Sequence, residues 1–359
     1  MSIHFHKLSV KEVKPVTHDC VTVQFTVPAA LQRTFSYKAG QSLTLRATID
    51  GQDIRRTYSL CSSPLDNEWK IAIKKVEDGV FSGWAHTSLK AGDTLDVMPP
   101  VGNFNSKLDP AQQKQYAAFA AGSGITPVLS LIKTILTTEP QSQFTLVYGN
   151  RNRSSVIFFE ELESLKNRFM ERFRVIHILS REIMDTAINA GRIDAVKLDE
   201  LAGIIDYTHT DEYFLCGPEA MIFCVKDHLT AKNIPANRIH FELFTTAGTK
   251  AVAPKKEKTT SASGPVCEVT MKIDGRTIAL QMPMNSDDTL LEAALQQGAD
   301  LPYACKGGMC CTCKAKLVEG EVSMDVQWGL EDEEVKKGFI LTCQSHPKTE
   351  KITVDFDVK

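Results

Sequence analysis

No run in this 359-residue chain is apolar for the roughly 20 residues that a membrane-spanning helix needs. The opening stretch, MSIHFHKLSVKEV, alternates like a strand and lacks the apolar core of a secretion signal. The expected compartment is therefore the cytoplasm, where thiols stay reduced. Basic residues give no excess, 41 against 44 acidic ones, which argues against a nucleic-acid binder. No internal repeat stands out, and no GxGxxG dinucleotide fingerprint is present. Cysteines number only ten, and a chain of this size has no need of disulfide staples.

What is present divides unevenly. Residues 1–108 carry short alternating runs, CVTVQFTV, QSLTLRATI, WKIAIKKVE and DTLDVMP, punctuated by Gly, Pro and Asp. That pattern predicts an antiparallel barrel or sandwich. Over 109–244, strand-like YAAFAAG, FTLVYGN, FRVIHILS and EYFLCGP alternate with helix-like TPVLSLIKTIL and SVIFFEELESLKNRF, which predicts a parallel sheet covered by helices. Residues 245–266 are rich in Lys, Ser, Thr, Ala, Pro and Gly and read as a tether. Residues 267–359 hold two further strands, one helix (DTLLEAALQQGA) and a cysteine cluster. From 266 onward, 16 acidic residues face 10 basic ones, so this end is suited to docking on something basic.

In LPYACKGGMCCTCKAKL, Cys305, Cys310 and Cys313 are spaced C-x4-C-x2-C, and Cys343 follows after 29 residues. This is the plant-type [2Fe-2S] spacing: four soft thiolates complete two tetrahedral irons bridged by sulfides. Glycines between the first two cysteines let the loop wrap so that N–H groups approach sulfur. Structural zinc more often uses two paired CxxC knuckles, and only one CxxC is present. Cys311 falls outside the spacing. Cys20, Cys61, Cys224 and Cys267 read as small buried hydrophobes.

The string YACKGGMCCTCKAKLVEGEV resembles the cluster loop of plant-type ferredoxins, above all those fused to flavin reductases. Such a ferredoxin cannot take a hydride directly, which calls for a flavin to split it into single electrons. RRTYSLCS resembles the RxYS motif of the ferredoxin–NADP reductase family. The resemblance implies that Arg56 meets the FAD diphosphate, Tyr58 stacks on the isoalloxazine and Ser59 bonds near its N5. GVFS, Gly79 to Ser82, resembles the G-x-x-S phosphate loop of that family. AAGSGITP resembles its nicotinamide-dinucleotide loop, giving roles to Gly122, Gly124, Thr126 and Pro127.

By the same resemblance, Ser180 and Arg181 of LSRE, with Arg151 of YGNR and Arg192 nearby, form a 2′-phosphate clamp, so NADPH is expected over NADH. FLCGPEAM places Cys216 near nicotinamide C4, with Gly217 and Pro218 shaping the turn. FELFTT places Phe244 over the flavin and Glu242 beside it. Ser59, Cys216 and Glu242 are the expected catalytic residues. The implied architecture is an FAD-binding antiparallel β-barrel, a parallel α/β NAD(P)-binding domain and a β-grasp ferredoxin domain. The implied activity is electron delivery to the oxygenase component of a multicomponent monooxygenase. Its terminal strings resemble reductases of diiron oxygenases in phenylacetate catabolism, with reductases of Rieske-type ring or steroid hydroxylases as the alternative.

Overall fold

A computed structural model describes residues 4–244 and 265–358. Most of the expected tether, 245–266, lies outside the described residues. Three larger sheets organise the described residues, the first and third each around one apolar core and the second between two.

The first sheet contains β1 (His6–Thr17), β2 (Cys20–Thr26), β3 (Ser42–Ile49), β4 (Gln52–Ser59), β5 (Trp69–Lys74) and β6 (Thr94–Val97). They run antiparallel in the order β4-β3-β6-β1-β2-β5. A bridge between Leu60 and Ile71 joins the two outer strands and closes a barrel. The period of two explains the local structure: β1 buries Leu8 and Val10 between exposed Lys7, Ser9 and Lys11. Leu43, Leu45, Phe25 and Ile71 fill the interior. Helix α1 (Val80–Thr87) covers one end with Phe81 and Ala85.

The second sheet is wholly parallel: β7 (Gln115–Ala121), β8 (Gln143–Asn150), β9 (Phe173–Leu179), β10 (Glu212–Gly217) and β11 (Ile239–Leu243), in the order β11-β10-β7-β8-β9. In β7, Tyr116, Ala118 and Ala120 pack into one core, whereas Ala117 and Phe119 pack into another. Burial on both faces is why this strand reads as one apolar run. Helices α2 (Ile125–Thr138) and α3 (Phe159–Arg168) belong to the first of these cores, and α4 (Ala195–Leu201) and α5 (Glu219–Ala231) to the second. The chain moves outward from β7 to β9, then returns to lay β10 on the other side of β7. The strand order thus reverses between β7 and β10, where open α/β sheets form ligand crevices.

The third sheet comprises β12 (Val266–Ile273), β13 (Arg276–Pro283), β14 (Lys314–Glu319), β16 (Phe339–Leu341) and β18 (Lys351–Asp355); β15 (Val322–Met324) and β17 (Ser345–Pro347) pair separately. Helix α6 (Leu290–Gln296), opened by a Thr289–Glu292 capping box, buries Leu290, Leu291, Ala293 and Ala294 against this sheet, a β-grasp arrangement. Short α7 (Asp332–Lys336) precedes β16. All ten cysteines are free, and Cys20, Cys61 and Cys267 are buried as expected. Cys224 is only half-buried, because it lies at the margin of the α4/α5 core. No described helix is long and apolar enough to cross a membrane.

Candidate functional site

Strand β4 carries the RRTYS motif, and its pleat assigns alternate residues to opposite faces. Arg56 and Tyr58 lie opposite Leu45 and Leu43 of the barrel interior. The Tyr58 ring sits 5.7 Å from Phe81 of α1. Gly79 precedes α1, and no side chain caps that helix, so its first N–H groups remain open to an anion. The Ser82 hydroxyl faces inward, accepting from Val76 N at 3.1 Å and donating to Gly79 O at 3.2 Å. It therefore shapes the loop. A Cβ on Gly79 would stand 2.4 Å from Ser82 Oγ, so the turn needs glycine. A groove of about 440 Å³ opens here, lined by Lys75, Asp78, Gly79, Gly83 and Trp84. An uncapped helix, an arginine strand and a tyrosine beside them fit a flavin dinucleotide.

The loop after β7 and the end of β10 interlock. A Cβ on Gly124 would fall 2.1 Å from the carbonyl oxygen of Cys216, and one on Gly217 would meet Ala121 N at 3.1 Å. Gly122 takes φ +54°, and Tyr148 donates to its carbonyl at 2.9 Å. Thr126 donates to Ser123 O at 3.1 Å, and buried Pro127 occupies the first turn of α2. These close approaches lie at the reversal of strand order, where open α/β sheets receive a dinucleotide diphosphate.

At the ends of β8 and β9, Arg181 N donates to Arg151 O at 2.7 Å, drawing the two arginines together. Both are exposed, as are Ser180 and Arg192. Glu182 turns away and accepts from Arg153 N at 2.6 Å.

Ser59, Cys216 and Glu242 are brought together from three strands. Ser59 donates to Glu242 Oε2 at 2.9 Å, and Cys216 pairs with Glu242 across β10 and β11. Burial pushes the Glu242 carboxyl up to about 7 against the opposing Ser59 bond. Burial, reinforced by the charge of Glu242, pushes the Cys216 thiol well above its ordinary value. Phe244 is 37% exposed just beyond β11.

The cluster cysteines form two pairs. Cys305 neighbours Cys310, and Cys313 neighbours Cys343. Gly307 N and Cys310 N point at Cys305 Sγ from 3.3 and 3.4 Å. Two thiols for each of two irons, with N–H donors aimed at sulfur, fit a [2Fe-2S] cluster. No group of three or more His, Cys, Asp or Glu side chains among the described residues is arranged to hold a single ion. Cys311 adopts φ +55° and turns its thiol to Gly329 O at 2.6 Å, apart from the pairs.

Several contacts escaped the sequence reading. Arg55, buried, donates to Leu301 O at 3.3 Å and lies 4.2 Å over the Tyr303 ring. Asn103 donates to Glu334 at 2.9 Å, Thr44 meets Thr312 at 3.2 Å, and Phe223 packs 6.1 Å from Trp328. These seat the cysteine-bearing unit against both other units. The only hint in the sequence was strand alternation, which turns Arg55 away from the face of Arg56.

Comparison with known proteins agrees with this geometry. Residues 7–106 match the oxidoreductase FAD-binding domain, 119–227 the oxidoreductase NAD-binding domain, and 271–348 the 2Fe-2S iron-sulfur cluster binding domain. A component of 1,2-phenylacetyl-CoA epoxidase from Escherichia coli (strain K12) is 44% identical, covering 99% of this chain and 98% of that protein. The chain belongs to the family of oxygenase reductase components with FAD-, NAD- and 2Fe-2S-binding domains. The ferredoxin reductase component of 3-ketosteroid-9-alpha-monooxygenase from Rhodococcus rhodochrous is 34% identical over 97% of this chain and 96% of its own. Phthalate dioxygenase reductase shares the fold, with a TM-score of 0.57 at 24% identity and 98% of each chain covered. The reductase thus has FAD, NAD(P) and [2Fe-2S] as its cofactor set, in the order barrel, parallel sheet, β-grasp unit.

Proposed function

We propose that this reductase oxidises NADPH and delivers the electrons singly to a separate diiron oxygenase, that of phenylacetyl-CoA epoxidation in phenylacetate catabolism. When bound, FAD supplies the conversion of a hydride into single electrons and the cluster supplies one-electron carriage. Residues 1–108, 109–244 and 267–359 are the corresponding domains, joined by 245–266. The observation that carries this reading is the convergence of Ser59, Cys216 and Glu242. Barrel and parallel sheet meet at one carboxylate, and the cluster-bearing unit is seated against both.

Arg56 and the open end of α1 after Gly79 hold the flavin diphosphate, with Ser82 fixing the loop. Tyr58 would offer a flat face to the flavin ring, and exposed Phe244 would shield it from solvent. Gly122, Gly124, Thr126 and Pro127 shape the NADPH diphosphate loop. Ser180, Arg181 and Arg151, helped by Arg192, take the 2′-phosphate. Cys216 and Gly217 line the nicotinamide position, and the Ser59–Glu242 pair holds a proton beside the flavin. The ten free thiols suit a reducing cytoplasm.

The 44% identity to an epoxidase component favours the diiron partner, whereas the 34% relative supports a Rieske-type steroid system as the alternative. Purified reductase mixed with each oxygenase and its substrate decides between them. NADPH oxidation coupled to phenylacetyl-CoA turnover supports the proposal, and coupling only to the steroid oxygenase overturns it.

A further inference from the structure

A line of hydroxyls runs from the flavin strand to a cluster cysteine. Thr57 of β4 lies 3.2 Å from Thr44 of β3, Thr44 lies 3.2 Å from Thr312, and Thr312 donates to Cys310 Sγ at 3.1 Å. Thr44 is 0% exposed and Thr312 is 4% exposed, so water does not compete for either. Each hydroxyl has one proton to give. If Thr312 gives its proton to sulfur, Thr44 must donate to Thr312, and Thr57 must then donate to Thr44. The chain has one direction, and it ends on the sulfur. Chains of this kind polarise successive bonds in the same sense.

Its position in the fold matters as much as its direction. Thr44 and Thr57 belong to the barrel, and Thr312 belongs to the cluster loop. Thr57 stands between Arg56 and Tyr58 in the motif assigned to the flavin, but on the opposite face of the pleat. Arg55, on the same face as Thr57, seats the β-grasp unit through Leu301 O and the Tyr303 ring. One face of β4 is thus given to the flavin side and the other to holding the cluster loop.

We propose that Thr44 is a positioning residue that sets the cluster potential through Thr312 while the two units are seated together. A hydrogen bond to a ligand sulfur stabilises the reduced, more negative cluster and raises its potential. Seating therefore favours arrival of an electron, and separation of Thr44 from Thr312 lowers the potential and favours its departure. No bond is made or broken: one electron enters the cluster and the same electron leaves to the oxygenase. This rests on the reading of Cys305, Cys310, Cys313 and Cys343 as the cluster ligands.

The test is a redox titration of the full-length, FAD- and cluster-loaded chain, read by the electron paramagnetic resonance signal of the reduced cluster. Thr44→Val is expected to shift the midpoint potential downward, and Thr312→Val to shift it at least as far. The double variant should move no further than Thr312→Val, because Thr44 acts through that hydroxyl. Thr44→Ser restores the hydroxyl and should restore the wild-type potential. An unchanged potential in Thr44→Val, or additive shifts in the double variant, overturns the proposal. Should Thr44→Val fail to fold, a lowered potential in Thr44→Ser overturns it equally. A wild-type chain without an iron–sulfur signal defeats the ligand reading instead.

Discussion

Ser59 donates a hydrogen bond to Glu242 across 2.9 Å, tying the end of the flavin strand β4 to β11 of the nicotinamide sheet. The two residues are 183 positions apart, and each lies in a motif whose meaning depends on the other. The bond opposes burial, which holds the carboxyl up at about 7. Ser59→Ala removes that opposition and loosens the juncture of the two units. A hydrogen bond to a charged group is worth about 1.5–3 kcal/mol. Flavin reduction by NADPH, followed by anaerobic stopped-flow absorbance, should slow roughly tenfold or more with flavin content unchanged. A rate within twofold of wild type would deny the pair a part in hydride transfer.

The two adjacent cysteines give a cleaner contrast. Cys310 pairs with Cys305 and receives the Thr312 hydroxyl, whereas the thiol of Cys311 is turned to Gly329 O. Cys310→Ser should lose the visible iron–sulfur bands, and Cys311→Ser should keep them. Both variants retaining full iron content would remove Cys310 from the ligand set.

These same residues show what the sequence made legible. The 2Fe-2S domain was readable because ligation demands a fixed local cysteine spacing, which survives without the rest of the fold. The glycines at 122, 124 and 217 were readable as a motif, but their cause was not. Gly124 is required by the carbonyl of Cys216, over ninety residues away, and only the strand order brings the two together. The β-grasp unit's seat on Arg55, Thr44 and Asn103 left no trace beyond the strand alternation at Arg55, because Thr, Arg and Asn on a strand or loop have no pattern that names a distant partner. Ser82 reads as a phosphate-loop residue, and in the structure its hydroxyl also bonds within its own loop.

Acid stability depends on a carboxylate away from the cofactors. Burial alone would raise Glu212, but the His240 ring 3.2 Å away and bonds from Lys114 and Ser106 override it and hold the carboxyl at about 2, below its ordinary 4.5. A depressed carboxyl stabilises the fold above its unfolded value, and that contribution is lost as pH falls from 4.5 toward 2. The loss should come to about 3 kcal/mol for this side chain, which is only 13% exposed. Chemical denaturation between pH 2 and pH 6 should show Glu212→Gln losing less stability over that window than wild type. Parallel curves for the two proteins would refute the assignment.

The choice between NADPH and NADH rests on the ends of β8 and β9. Arg181 N bonds to Arg151 O at 2.7 Å, so the backbone brings the two residues to adjoining strand ends. Their neighbour Glu182, the one carboxylate in LSRE, accepts from Arg153 N. A site selective for NADH would place a carboxylate on the ribose 2′-hydroxyl. Here Glu182 is engaged by Arg153 N, and Ser180 and Arg181 stand exposed beside it. A planar guanidinium matches a phosphate through paired donors, and the 2′-phosphate is the one group NADH lacks. Arg181→Ala should therefore raise the KM for NADPH about tenfold or more, as loss of a charge-assisted bond requires, while the KM for NADH changes little. The kcat with saturating NADPH should stay near wild type, because the clamp lies away from the reacting carbon. Steady-state reduction of a dye with each nucleotide measures both effects. Equal rises in the two KM values would show that Arg181 grips the shared diphosphate or only shapes the loop, and the preference for NADPH would lose its basis.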